Sequence, residues 1–314
     1  MRHGLLGLLG VVALTGSAAA QGPAPLAVHG NLQTLEIAPV LLAADGQPGL
    51  ATVAAGGIPE LVDEHHADLA TNAETQLLRQ SVKHPDLRVI LGVSEGLYRI
   101  VARRSAGIAR VADLKGKRVA TIEPTSSGYF LERMLHRAGL TFDDIQARPI
   151  VPLSGMTEAL RKGEVDAVVI WEPESEKSAR VLGPDLVEFA GSGVYRELFN
   201  LNTTAGKLAD PAARKRIVRF VRAVLDAGQA MARDPAPAQA LVAKASGFDR
   251  GDVERSWRHH RFAPGMPRDL LDVMTEEEQW LASRDKRPAR SRAELARLID
   301  TSVYREALAL KGRR

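Results

Sequence analysis

Thr125, Ser126, Ser127 and Gly128 follow an apolar stretch, Val119–Ile122, and precede a run whose apolar positions Phe130, Leu131, Met134, Leu135 and Ala138 share one helical face. Hydroxyls where a strand passes into a helix can cap the helix, accepting from its first backbone N–H groups. They can instead leave those N–H groups, with the positive end of the helix dipole, to hold an anionic or polar head group. Trp171 and Glu172 close a second run, Val165–Ile170, apolar at nearly every position as in a strand covered on both faces. An indole at the carboxyl end of such a strand lies where ligand crevices form in open α/β sheets, or it plugs a core. Glu172 can receive an ammonium or cap the next turn. Further strand ends offer neutral donors: Asn31 and Gln33 after the first strand, Gly56-Gly57 after the second, Thr71-Asn72 after the third, and Ser154-Gly155 after Ile150–Pro152. Glycine there lets backbone approach a guest closely, and it serves a tight turn equally well.

Catalytic patterns are missing from the sequence. There is no G-x-S-x-G, no H-E-x-x-H, no G-x-G-x-x-G after a strand, and no cysteine to act as a nucleophile or thiolate ligand. His65-His66 and His259-His260 are adjacent pairs whose side chains point apart on a helix, so they read as solvated surface rather than metal ligands. Lys115, Lys117 and Arg118 stand without a phosphate-binding G-x-x-x-x-G-K-[ST] and read as the rim of a turn. Glu276–Glu278 complement a helix start. Affinity without chemistry is expected: no enzyme activity, no cofactor and no metal.

The elements that must position these groups alternate. Leu26–His29, Ala51–Ala55, Asp68–Asn72 and Leu87–Val93 read as strands, separated by helices over Thr34–Ala44, Ile58–His65 and Glu74–Val82, with Thr34 as the first helix's cap. Strand–helix alternation at this spacing predicts an α/β architecture with parallel sheets. From Asp210 onward the pattern is helical: Asp210-Pro211 and Asp234-Pro235 each place a capping acid before a proline suited to a first helical turn, and Ser291 with Glu294 forms a capping box.

The wording DLKGKRVAT, TSSGYFLERMLHRAGL and ALRKGEVDAVVIWEP, within residues 113–173, resembles the periplasmic solute-binding proteins of ABC importers. The subgroup handles nitrate, aliphatic sulfonates, taurine and thiamine-precursor pyrimidines. The resemblance is specific over roughly residues 50–205 and implies a type II two-lobed fold with a hinge and a helical C-terminal tail. It implies one lobe from 21–103 with 200–314 and a second from 104–199, crossing through Arg104–Val111 and returning near Val194–Asn202. The expected ligand set is Asn31, Gln33, Gly57, Thr71, Asn72, Thr125, Ser126, Ser127, Ser154, Trp171 and Glu172, closing on a small anionic or polar solute. The expected partner is an inner-membrane permease. The same fold serves thiamine-pyrimidine synthases, which use a histidine and a lysine near the site, and ligand sensors that dock a receptor. Asp45–Leu50 is shorter than the family's usual segment, and no cation stands in the motif loops.

The chain has 314 residues, enough for two domains, with 45% hydrophobic and 25% charged residues and a net charge of +4 spread over both signs. With 4% aromatics and no basic stripe, nucleic acid is not an expected partner. Arg2 and His3, an apolar Leu5–Leu14 and the small-residue end Ser17-Ala-Ala-Ala form a cleavable export signal over 1–20. Lacking cysteine, the exported chain is not a lipoprotein; a periplasmic monomer is expected.

Overall fold

The computed structural model describes residues 24–63 and 66–310, so the expected export signal and His65 lie outside the described residues. The first part of the chain alternates as expected: β1 (Leu26–Gly30), α1 (Ala38–Asp45), β2 (Ala51–Ala55), α2 (Ile58–Val62), β3 (Leu69–Ala73), α3 (Glu74–Gln80) and β4 (Leu87–Gly96). The second comprises β5 (Arg99–Arg103), β6 (Arg118–Ala120), α4 (Ser126–Arg137), β7 (Gln146–Arg148), α5 (Ser154–Lys162), β8 (Ala167–Val168), α6 (Glu174–Leu182) and β9 (Leu186–Ala190). After β10 (Glu197–Thr204) come α7 (Ala205–Ala209), α8 (Pro211–Arg233), α9 (Ala236–Ser246), α10 (Arg250–Ser256), β11 (His260–Arg261), α11 (Leu270–Arg284), α12 (Arg292–Ala296) and α13 (Ser302–Ala309).

These strands form two sheets, in the orders β11-β4-β10-β3-β1-β2 and β7-β6-β8-β5-β9. Pairing is parallel for β2-β1-β3 and for β7-β6-β8, as the alternation requires. The strands flanking the crossings, β5, β9 and β10, insert antiparallel, so both sheets are mixed rather than parallel throughout. β5 also moves the expected boundary. Arg99–Arg103 was assigned to the first lobe, yet it pairs with β8 and β9, burying Ile100, Val101 and Ala102 completely in the second sheet. The crossing is therefore Leu97-Tyr98, ahead of Arg104–Val111, and the return runs between Ala190 and Glu197.

The first sheet buries one face under α1 and α8, around Leu26, Val28, Ile37, Leu69, Phe220 and Val224, and the other under α2, α3 and α11, around Ile58, Leu77, Leu78 and Met274. The helical tail packs on this sheet's helices and also touches the second unit, where Arg180 of α6 meets Asp252 of α10 at 2.8 Å. Its caps are the expected ones. Asp210 accepts from Ala212 N at 2.8 Å, Asp234 from Ala236 N at 3.0 Å, and Ser291 and Glu294 exchange bonds of 2.8 and 3.3 Å. One cap differs: α1 begins at Ala38, not beyond Thr34. A helix started at Thr34 would leave Leu35 O without the N–H that Pro39 lacks, so the helix opens where Pro39 falls in its first turn.

Candidate functional site

Strands β1, β2 and β3 of one sheet and β6 and β8 of the other end facing a common cavity of about 480 Å³. The first wall carries Asn31, Thr34, Glu36, Gly57, Glu60, Asn72, Gln76 and Arg79; the second carries Ile122, Pro124, Thr125, Ser126 and Trp171; Glu197 stands at the return crossing. Hydrogen bonds join the walls. Trp171 Nε1 donates to Gln33 O at 3.2 Å, Gln76 Nε2 to Pro124 O at 3.0 Å, and Arg79 Nη1 to the same carbonyl at 3.1 Å.

At the start of α4 the hydroxyls do not cap. Thr125 Oγ1 turns back to donate to Ile122 O at 2.6 Å, and no side chain accepts from the first turn's N–H groups. Of the two readings of this loop, capping is therefore not realised, and the uncapped helix start borders the cavity. Ser126 Oγ pairs with Tyr98 Oη at 2.8 Å. Ser127 is fully buried and bonded to Thr125 Oγ1 at 2.8 Å, so it supports the loop from inside. Gly128 is required by proximity: a Cβ there would stand 2.0 Å from Glu123 O.

Six of the expected ligand residues line the cavity: Asn31, Gly57, Asn72, Thr125, Ser126 and Trp171. Gly57 has an extended backbone, and a Cβ on it would meet Asn72 Oδ1 at 2.7 Å, so its smallness seats Asn72 in the wall. The others are placed elsewhere. Thr71 is buried beneath β1, where its Oγ1 would stand 2.2 Å from a Cβ on Gly30. Gln33 points its amide to Ser246 O at 2.9 Å, leaving only its carbonyl to meet Trp171. Ser154 is exposed at the start of α5, away from the cavity.

Glu172 is the clearest displacement. It lies behind Trp171, outside the cavity, ion-paired at 2.8 Å with Arg99, while its second oxygen accepts from Glu176 N at 2.9 Å. Arg99 also meets Glu176 at 2.9 Å and Glu188 at 2.8 Å. Burial raises the Glu172 carboxyl to about 7, against the opposing pull of Arg99 and His260. His259 faces the same cluster, and burial followed by the Arg99 charge lowers it to about 4.

Among the cavity residues not anticipated from the sequence are two buried carboxyls. Glu36 is 1% exposed; its Oε1 meets His260 Nε2 at 3.2 Å and its Oε2 has no partner. Glu197 is 4% exposed and accepts from Tyr98 Oη at 2.9 Å. Burial, then the Glu36 and Glu74 carboxylates, push Glu197 well above the usual carboxylate range. A carboxyl inside an apolar stretch, as in Leu35-Glu36-Ile37, is the sequence signal that could have marked the first.

The family description NMT1/THI5 like matches residues 51–238, more than half of the chain. The chain belongs to this family. Among curated relatives, a putative aliphatic sulfonates-binding protein of Escherichia coli (strain K12) is 34% identical over 167 residues, 52% of this chain and 49% of that protein. The chain thus spans about half the length of that relative. Two solved structures share the fold. The periplasmic aliphatic sulphonate binding protein SsuA from Escherichia coli has a TM-score of 0.72 at 19% identity, covering 93% of this chain and 95% of that one. The alkanesulfonate-binding protein SsuA from Xanthomonas axonopodis pv. citri, bound to MOPS, has a TM-score of 0.69 at 20% identity, covering 90% and 100%. The family's two-lobed periplasmic-binding fold with a helical tail is the architecture described above. Among the described residues, no helix is long and apolar enough to cross a membrane.

Proposed function

We propose that this protein is the extracytoplasmic solute-binding component of an ABC importer. It binds a small polar or anionic solute between two lobes that close by hinge motion, and it works by affinity without covalent chemistry. The observation that carries this reading is the cavity at the strand ends of both sheets. Its walls come from lobes joined through the crossings at Leu97-Tyr98 and 191–196, and they are bridged by Trp171, Gln76 and Arg79. Closure removes water from the Asn31, Asn72 and Thr125 groups and strengthens each hydrogen bond to the guest. The exported, periplasmic monomer would then hand its solute to an inner-membrane permease.

The sulfonate-binding relatives define the first panel: alkanesulfonates and taurine, with nitrate and aminopyrimidines beside them. Thermal melts of the chain after removal of residues 1–20 are expected to rise with a matching solute, by about 2.7 kcal/mol when the solute is at about 100 times its Kd. An unchanged melt across the panel, with the fold intact by circular dichroism, overturns the proposal.

A further inference from the structure

Helix α11 has two occupied faces. Met274 and Leu281 enter the core of the first lobe beside Ile58, Leu77 and Leu78. Glu276, Trp280 and Arg284 recur at one helical turn and meet the second lobe instead. Glu276 pairs with Arg133 of α4 at 2.6 Å, the Trp280 ring lies 5.2 Å from that of Tyr129, and Arg284 pairs with Glu123, just ahead of α4. Rising numbers on α11 meet falling numbers on the facing segment, so the two run antiparallel. Trp280 packs against the apolar cores of both lobes, and Arg284 also covers Phe142 of the second, its guanidinium carbon 5.2 Å from the ring centre. The acids Glu276–Glu278, expected to complement a helix start, fall inside α11, where Glu276 serves the other lobe.

The ends of this contact stand at different distances from the hinge. Glu276 and Tyr129 border a second cavity, of about 330 Å³, whose other walls include Leu97 and 192–196 of the two crossings. Arg137, one turn beyond Arg133, donates to Gly193 O of the return crossing at 2.9 Å. Glu123, at the opposite end, precedes Pro124, whose carbonyl accepts from Gln76 and Arg79 across the solute cavity. A rotation about the crossings therefore displaces Glu123 further than Arg133.

We infer that Trp280 and Arg284 of α11 are positioning residues for solute binding: they clasp the segment from Glu123 to the start of α4 in the closed arrangement, whereas Glu276 and Arg133 brace the hinge in closed and open arrangements alike. The inference rests on the two-lobed hinge reading and holds for any solute. The Arg284 and Glu123 side chains are 37% and 34% exposed, and a pair that open to water is weak on its own. The guanidinium adds its approach to the Phe142 and Trp280 rings, and the Trp280–Tyr129 pair adds an aromatic contact that water does not screen.

The chain has no cysteine, so spin labels attached through Val82→Cys and Val151→Cys, exposed positions on the first and second lobes, report the interlobe distance by double electron–electron resonance. The clasp is made between protein groups alone, so a short-distance, closed population is expected without added solute. Arg284→Glu is expected to lower the closed-to-open ratio about threefold, and adding Glu123→Arg to bring it back within about twofold of the wild-type ratio. Trp280→Ala is expected to lower it about fivefold. If Trp280→Ala fails to fold, the Arg284 and Glu123 exchange, made at half-exposed positions, carries the comparison. Arg133→Glu, at the hinge end, is expected to leave the ratio within about twofold while lowering the melt. A wild-type chain without a closed population, a ratio that Arg284→Glu leaves unchanged, a loss that Glu123→Arg does not restore, or an equal loss from Arg133→Glu overturns the inference. These distances need no solute, so silence across the solute panel sinks the solute-binding reading separately.

Discussion

Replacing Arg99 by Met keeps the length of the side chain and deletes the one charge that faces Glu172, Glu176 and Glu188 together. The Glu172 and Glu176 side chains are 5% and 6% exposed and cannot turn to water, whereas Glu188, at 36%, can. Arg258, 3.2 Å from Glu176, remains as partial compensation. Removing one partner from a buried ion pair costs about 3–5 kcal/mol. At roughly 2–4 °C per kcal/mol for a domain of this size, the melt is expected to fall by roughly 10 °C near pH 8. The pH dependence follows from Glu172, whose carboxyl is already raised to about 7 by burial even with Arg99 beside it. A carboxyl whose folded pKa exceeds its unfolded value contributes stability that is fully present below the unfolded pKa of about 4.5 and is lost as pH rises through the folded one. Without Arg99 the folded value climbs further, so near pH 5 the variant's carboxyl is protonated and most of the loss disappears. Circular-dichroism melts near pH 5 and pH 8 read this directly, and adding Glu172→Gln and Glu176→Gln is expected to restore the melt near pH 8. A deficit under about 1 kcal/mol near pH 8, or one of equal size at both pH values, would refute the reasoning.

Trp171→Phe keeps an apolar ring in the wall but removes the N–H that bonds Gln33 O across the cavity. About 1 kcal/mol of closed-state stabilisation is lost, so solute affinity by calorimetry is expected to fall about fivefold; an unchanged Kd would show that this bridge does not contribute to closure. Gly128→Ala drives a Cβ against Glu123 O and displaces the loop before α4. It is expected to lower stability by about 1–3 kcal/mol and to weaken solute binding more than Trp171→Phe does; a variant with wild-type melt and affinity sinks the assignment of this loop to the site.

Features set within a turn or two of chain were legible in the sequence. The strand before the Thr125–Gly128 loop, the left-handed Gly139 with φ of 73° after α4, and the tail caps at Asp210 and Ser291 depend on neighbouring residues alone; the glycine and the caps appear where expected, and the strand runs over Arg118–Ala120, ending two residues before the expected Ile122. The start of α1 was misplaced because Thr34 makes an attractive cap locally, while Pro39 constrains the helix from further along. The sheet that β5 joins was not legible either: Ile100-Val101-Ala102 is apolar enough for a buried strand in either lobe, and its pairing with β8 and β9 spans many residues. Glu197 escaped notice for a related reason. Its burial arises where the return crossing meets Tyr98, far away in sequence.

By itself, the sequence marked most of the short segments that border the cavity: those at Asn31, Gly56-Gly57, Thr71-Asn72, Thr125–Ser127 and Trp171-Glu172. Tertiary structure decided which of two neighbours in each segment faces it. Asn72 lines the cavity and Thr71 does not; Ser126 does and Ser127 does not; Trp171 does and Glu172 does not. Adjacent side chains point to different faces of a strand or helix, so a motif read as a block is divided by packing. One member meets the guest, and the other is taken up by the core, the loop or, for Glu172, the guanidinium of Arg99.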